Sequence, residues 1–191
     1  MVTPQPQGSV DLGLSVFWAE KNLGASGVLE LGDTYHWGDI TPESSSTRWE
    51  TTDGNYTKYN EEDNLLLLAP EDDAAAVALG GRWRMPTTAD AQELLDNCTL
   101  TTRPIGENLY AFRFTSKKNG NYIEFPIKYV DGAINENDRA LKFWLKDKPV
   151  KSANWAWARR GNCLELSFGQ ENCRCFYALR TSGLHIRPVS D

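Results

Sequence analysis

The 191-residue sequence has no long hydrophobic run, few histidines and no excess of basic charge. Its apolar stretches, such as Leu65 to Ala69, are far shorter than the ~20 residues that a membrane-spanning helix needs. A net charge of −6 disfavours a general nucleic-acid role, because such proteins present a basic face to the phosphates. The length is typical of one domain with a substantial core.

The motifs of common catalytic classes are also missing. The two histidines, His36 and His185, do not stand beside a nucleophile motif, and neither Gly-x-Ser-x-Gly nor a phosphate loop occurs. No spacing selects a glycosidase pair among the 26 acidic residues. We therefore expect no enzyme activity, no catalytic residues and no cofactor.

Cysteine is scarce, and its spacing points to no metal site. Four cysteines are too few for a disulfide scaffold, and there is no Cys-x-x-Cys pair to predict structural zinc. Cys173 and Cys175 would share one face of a strand. Three interpretations stay open for the cysteines: small buried side chains, a disulfide from Cys163 to one of that pair, or a redox or catalytic thiol. We favour the first.

The N-terminal stretch MVTPQPQGS lacks the apolar core of a signal peptide and is typical of a linker. We predict a linker over residues 1–8 and a single domain over 9–191.

Two helices are predicted in the middle of the chain. The first begins at Pro70, carries an acidic triplet over 71–73 that suits a helix start better than a metal site, and stops at Gly80. The second begins at Thr87, where Asp90 completes a capping box. Its predicted apolar stripe is Ala91, Leu94, Leu95 and Cys98.

Strand patterns surround these helices. Residues 9–25 predict one strand, residues 32–46 begin strand-like and become a polar loop, and residues 48–64 predict a long surface excursion. Alternation on both sides of Lys118–Asn121 predicts a hairpin. Short strands follow in RALKFWLKD, NCLELSFGQ, CRCFYALRT and GLHIRPV, so the fold class is α+β.

The stretch Arg82-Trp83-Arg84-Met85-Pro86 admits two interpretations. Two arginines around a tryptophan could bind an anion. Alternatively, Pro86 keeps Met85 extended and sets the angle at which the chain reaches the second helix, with Trp83 and Met85 in the core and the arginines ion-paired. We favour the structural interpretation.

Several motifs together resemble the major paralogous domain family of surface proteins in gut Bacteroidota. They are VDLGLSVFWAEKNLGA, YHWGD, PEDDAA, GGRWRMPTTADAQELL and GLHIRPV, in that family's order. The segment RWRMPTTADAQELL, which leads into the second predicted helix, also resembles the corresponding segment in the formylglycine-generating-enzyme type of C-type lectin fold. The resemblance implies a C-type lectin-like fold, with two helices on antiparallel strands and adjacent N- and C-terminal strands.

The sequence departs from the functional motifs of related folds. Glu-Pro-Asn, Gln-Pro-Asp and Trp-Asn-Asp, which accompany calcium-dependent sugar binding in lectins of this fold, are absent. The Cys-x-Cys spacing of Cys173 and Cys175 does not match the reactive pair of formylglycine-generating enzymes. We therefore expect no metal and carry neither activity over.

The C-terminal third is the best candidate for a binding face. It is dense in Trp, Arg and Asn, types that favour recognition, and it resembles the ligand face of retroelement-diversified variable proteins. The predicted ligand-binding residues, within 146–177, are Trp155, Trp157, Arg159, Arg160, Asn162, Asn172 and Arg174. We expect Arg159 and Arg160 to be largely exposed, and at least one of the two tryptophans to be partly exposed.

We predict a non-catalytic receptor- or adhesin-like module displayed on a cell or phage surface. A protein ligand is favoured, because the face is rich in arginine and lacks a calcium motif; a glycan is the alternative ligand. We expect no nucleic-acid partner and no membrane span in this chain. The competing functions are an enzyme of the formylglycine-generating type and a structural module of a surface assembly.

Overall fold

The computed structural model describes residues 4–128, 141–149, 155–168 and 172–191. These residues form a sheet-rich α+β arrangement, the fold class predicted from the sequence. The helical elements are α1 (Ala74–Leu79) and α2 (Thr88–Asn97), with 3-10 turns over Pro70–Asp72 and Trp155–Arg159. The strands are β1 (Ser9–Val10), β2 (Phe17–Ala19), β3 (Trp83–Arg84), β4 (Cys98–Gly106), β5 (Leu109–Ser116), β6 (Tyr122–Lys128), β7 (Leu141–Trp144), β8 (Arg160–Leu166), β9 (Arg174–Leu179) and β10 (Val189–Ser190).

The first sheet brings the N- and C-terminal strands together, as predicted. Its order is β1-β2-β10-β3, all antiparallel, and Val189 lies opposite both Trp18 and Arg84. The single strand predicted over 9–25 is wrong, because the chain leaves the sheet between β1 and β2. This detour places Leu12 and Val16 in the core.

The second sheet is the antiparallel meander β4-β5-β6. The hairpin predicted around Lys118–Asn121 is confirmed, since β5 and β6 pair on either side of that turn. Within that turn, Gly120 has a φ of +77°. This left-handed backbone conformation would be strained in a residue with a side chain.

Local signals set the start of each helix. The Thr87 hydroxyl accepts the Asp90 N–H at 3.2 Å and the Asp90 carboxylate accepts the Thr87 N–H at 2.7 Å, which is the predicted capping box. The helix predicted to begin at Pro70 starts there as the 3-10 turn Pro70–Asp72. The α-helix α1 follows Asp73, which caps it because its carboxylate accepts the N–H groups of Ala75 and Ala76. Among the described residues, no helix is long and apolar enough to cross a membrane.

The stretch before α2 is structural, although less buried than expected. Met85 is in the core, and Arg84 pairs with Asp90 and Asp191 at 2.7 Å each. Trp83, expected in the core, is only half-buried, because it lies in the two-residue strand β3 at the edge of the first sheet.

The third sheet, β7-β8-β9, lies between two hydrophobic clusters. Phe143 and Leu164 face one cluster, while Trp144 and Cys163 face the other. Gly161 permits the close approach of Trp37 in the second cluster, since a Cβ there would lie 2.3 Å from the indole ring.

The second cluster also absorbs part of the segment predicted as a surface excursion. Tyr59 is fully buried between the rings of Trp37 and Trp49 and donates its hydroxyl hydrogen to Asp72 at 2.7 Å. Residues 48–64 therefore form a loop that is anchored in the core. Their polar composition had predicted a segment that lies entirely on the surface.

Candidate binding surface

The seven residues predicted to bind ligand do not form one surface. Arg160 and Arg174 lie on the β8-β9 ladder, Arg159 lines a separate pocket, and Asn162 and Trp157 point inward. Exposed Asn172 donates its amide hydrogen to the Phe168 carbonyl at 2.7 Å. The Trp155 side chain lies outside the part of the chain that the structure describes.

Trp157 belongs to the interior. Only 3% of its surface is exposed, and the Lys148 Nζ lies 4.3 Å from the centroid of its ring. Trp157 is thus not the partly exposed tryptophan that was expected, because its ring covers a buried cation, and the expectation for Trp155 stays a prediction. A sequence pattern cannot show this packing, because Lys148 is nine residues away.

Asn162 holds the sheet to α2. Its amide group donates to the Thr88 hydroxyl at 3.0 Å and to the Asp147 carboxylate at 2.6 Å. The same carboxylate accepts the Thr88 N–H at 2.6 Å. Its amide donors are therefore used inside the protein, where Asn162 links β8 to α2.

Lys148 and Arg180 form a buried pair of cations beneath this region. The Lys148 Nζ donates to the Tyr59 carbonyl at 2.5 Å and to that of Ala158 at 3.2 Å, and Arg180 Nη1 donates to the same two carbonyls. Burial, together with the Arg180 charge, lowers the pKa of Lys148 to about 7. Burial also lowers the pKa of Arg180 to about 10. The pair fastens the 48–64 loop to the Trp155–Arg159 turn.

Arg159 contributes to a different part of the surface. It was expected to be largely exposed, yet it is half-buried, because its guanidinium packs over Gly54. It lines a pocket of about 330 Å³ together with Gly54, Asn55, Tyr56, Asn60, Glu61, Glu62 and Ala158. Arg159 therefore does not extend the surface that Arg160 and Arg174 form.

Four side chains form a continuous stack at β8 and β9. The Arg174 guanidinium carbon lies 4.4 Å from the Phe176 ring centroid, the Phe176 and Tyr177 rings stack at 4.3 Å, and the Arg160 guanidinium carbon lies 4.3 Å from the Tyr177 centroid. The rings are nearly parallel, with 17° between their planes. We call Arg174, Phe176, Tyr177 and Arg160 the aromatic–arginine stack.

Solvent reaches most of this stack. Arg174 has 55% of its side chain exposed and Tyr177 is 37% exposed, while Phe176 and Arg160 are half-buried. The expectation that Arg160 is largely exposed is therefore wrong, because the Tyr177 ring covers one side of its guanidinium. Leu179, opposite Arg160 in the ladder, is 53% exposed and adds an apolar element.

The local charge at the stack differs from that of the whole chain. Arg174 Nε donates to Glu165 Oε1 at 2.9 Å, and Lys142 Nζ lies 3.3 Å from the other oxygen of that carboxylate. Arg174 and Lys142 thus flank one carboxylate at one end of the stack, and Arg160 lies at the other end, in a protein whose net charge is −6. The result is a positively charged aromatic surface on an acidic protein.

Burial shifts the pKa values of three thiols and of His185. All four cysteines lie in the described residues, and none forms a disulfide. Burial raises the pKa of Cys98 and Cys175 to about 11 and that of Cys163 to about 12, which disfavours the reactive thiolate. Burial lowers the pKa of His185, whose Nδ1 lies 3.0 Å from the Asp33 carbonyl. No metal-ligating cluster of His, Cys, Asp or Glu occurs among the described residues.

Fold and surface together define an α+β protein with a basic aromatic surface. Comparisons of the chain with protein-family models, curated proteins and solved structures found no match. The resemblance to the major paralogous domain family and the C-type lectin-like topology therefore stay predictions.

Sequence reasoning missed the two aromatic members of the stack. Phe176 and Tyr177 are consecutive residues of β9, and strand alternation would direct one inward. The available signal was the spacing Arg-x-Phe-Tyr, which places an arginine and an aromatic residue two positions apart on one strand face.

Proposed function

We propose that this protein is a non-catalytic binding module that recognises a partner protein through the aromatic–arginine stack. The supporting observation is the stack itself: two guanidinium groups over two stacked rings, with Tyr177 and Leu179 open to solvent. Arginine and tyrosine are enriched among the residues that dominate binding energy. Rigid aromatic side chains offer contact area with little loss of conformational entropy.

The environment of the thiols supports a binding role over an enzyme of the formylglycine-generating type. A catalytic cysteine must be reachable as the thiolate, whereas burial raises the pKa of Cys163 and Cys175. Display on a cell or phage surface stays a prediction from the sequence, and so does the kinship with variable proteins that the resemblance of the C-terminal third implies.

The test is a ligand selection with paired variants. The wild-type protein is panned against a displayed library of random peptides and applied to a glycan array, and each ligand is then measured against R160Q/R174Q. The control R82Q/R103Q removes two positive charges elsewhere on the protein. Exposed Arg82 donates to the Pro4 carbonyl. Arg103 pairs with Glu124, which still has its ion pair with Arg113 after the substitution. Arg159 is left intact, because it lines a different pocket.

We expect selected peptides to lose at least about tenfold in affinity for R160Q/R174Q and to keep their affinity for the control. Ligands that bind both variants equally would place the binding face elsewhere. A screen that yields no ligand would favour a structural module, and glycans alone would correct the partner class.

A further inference from the structure

We propose that the aromatic–arginine stack binds an extended acidic peptide segment of a partner protein, with one carboxylate side chain at each end of the stack. This inference rests on the proposed function and adds the chemical class of the partner. It is carried by the direction of the arginine donors, their spacing and the charge around them.

The arginines keep donors available for a ligand. A guanidinium lying over an aromatic ring directs its N–H groups outward in its own plane, past the edge of the ring. Arg174 uses its Nε for Glu165, which leaves both terminal nitrogens without an acceptor among the described residues. Within the same residues, no acceptor is bonded to the Arg160 guanidinium, which contacts the Tyr177 ring. A forked pair of N–H donors matches the two oxygens of a carboxylate.

The length of the stack fits an extended chain. Three steps of 4.3 to 4.4 Å lead from the Arg174 guanidinium across the two rings to that of Arg160. In an extended peptide, side chains on one face repeat about every 7 Å, because successive residues alternate between faces. Carboxylates two to four residues apart can therefore reach the two guanidinium groups, while the residues between them lie over the Phe176 and Tyr177 rings.

Charge favours an acidic ligand with spaced charges. Arg174 and Lys142 flank the single carboxylate of Glu165 at one end of the stack and Arg160 lies at the other, so a cationic peptide would be repelled from both ends. A continuous polyanion would bring negative charge close to Glu165, whereas a peptide can place a neutral residue there. Leu179 offers a contact for an apolar side chain of the same peptide. These features favour an acidic peptide over a nucleic acid or a sulfated sugar.

The test uses a synthetic probe and the whole protein. The probe is a capped, fluorescein-labelled 12-residue peptide of alternating Glu and Val, and the matched probes carry Lys or Gln in place of Glu. Binding is followed by fluorescence polarisation, with a labelled heparin-type oligosaccharide as a polyanion of another class. The proteins are the wild type, R160Q/R174Q, Y177L and the control R82Q/R103Q, each checked by thermal unfolding.

We expect the Glu-Val peptide to bind at least about tenfold more tightly than either matched peptide, and R160Q/R174Q to lose at least about tenfold. Y177L should also weaken binding, because the Arg160 guanidinium loses the ring that positions it. The control should bind like the wild type. Equal loss in the control, or equally tight heparin binding, would overturn the proposal by showing non-specific attraction to charge.

A measurement on the wild type covers the case in which a variant fails to fold. Titration with the Glu-Val peptide should shift the NMR signals of the Arg160 and Arg174 side chains and of the β9 amides. Shifts confined to other parts of the protein, or none, would refute the acidic-peptide assignment. If the library peptides depend on Arg160 and Arg174 while the Glu-Val peptide does not bind, the proposed function stands and the partner class is wrong.

Discussion

Raising the pH from 7 to 8.5 should stabilise this protein through one amine, that of Lys148. Lys148 is 3% exposed, its Nζ is bonded to two backbone carbonyls, and Arg180 donates to the same two carbonyls. Burial and the neighbouring guanidinium lower its pKa from 10.5 to about 7. Between those two values the unfolded chain holds a proton that the folded protein has released, so raising the pH favours folding.

The size of the stabilisation follows from the pH range between the folded and the unfolded pKa of Lys148. A difference of one bound proton changes the free energy of unfolding by at most about 1.4 kcal/mol per pH unit. From pH 7, where the folded amine is half protonated, to pH 8.5, the gain is about 1.5 kcal/mol. For a chain of this length, that corresponds to roughly 3–6 °C in the thermal midpoint.

A comparison with Lys148→Met separates the effect of the amine from that of the buried thiols. The thiols change the free energy of unfolding in the opposite direction as the pH rises. Their folded pKa values lie above those of the unfolded chain, so they lose stability as the pH rises, and the variant shares them with the wild type. Urea unfolding at pH 7 and 8.5 gives the free energies of both proteins. The wild type should gain about 1.5 kcal/mol relative to the variant over that interval. An unchanged difference between the two proteins would refute the argument.

Three further outcomes are expected. Trp83→Ala should lower the free energy of unfolding by about 2 kcal/mol in urea, less than for a fully buried tryptophan, because Trp83 is half-buried; a change near zero would reopen the anion-binding interpretation of its segment. Excess chelator should leave the thermal midpoint unchanged, whereas a fall of several degrees would reveal a bound ion. A thiol reagent at pH 7 should label Cys98 and Cys163 only after denaturant is added, since both are buried; rapid labelling of the folded protein would contradict that burial.

Features encoded over a few residues could be predicted from the sequence. The Thr87–Asp90 capping box and the turn at Lys118–Asn121 are formed by residues within four positions of each other. The interactions that stabilise them can therefore be inferred from a short stretch of sequence. The apolar stripe of α2 is equally local, because 3.6 residues per turn place its members on one face.

The candidate surface depended on contacts that no local pattern contains. Whether Trp157 faces solvent is decided by Lys148 and by the loop around Tyr59, both distant in the chain. The stack likewise requires the register that pairs Arg160 with Leu179 and Asn162 with Tyr177. Residue type therefore selected Arg160 and Arg174, whereas the register determined which aromatic rings accompany them.

The terminal sheet has a consequence for protein engineering. Val10 and Val189 both lie opposite Trp18, on the two sides of β2, so two interstrand spacings, about 10 Å, separate their backbones. A short flexible linker can therefore join residue 190 to residue 9, and new ends can be opened at the exposed turn around Gly120. For the same reason, the domain can be inserted into a surface loop of a host protein. The two points where the host loop is cut then need to move only a short distance apart.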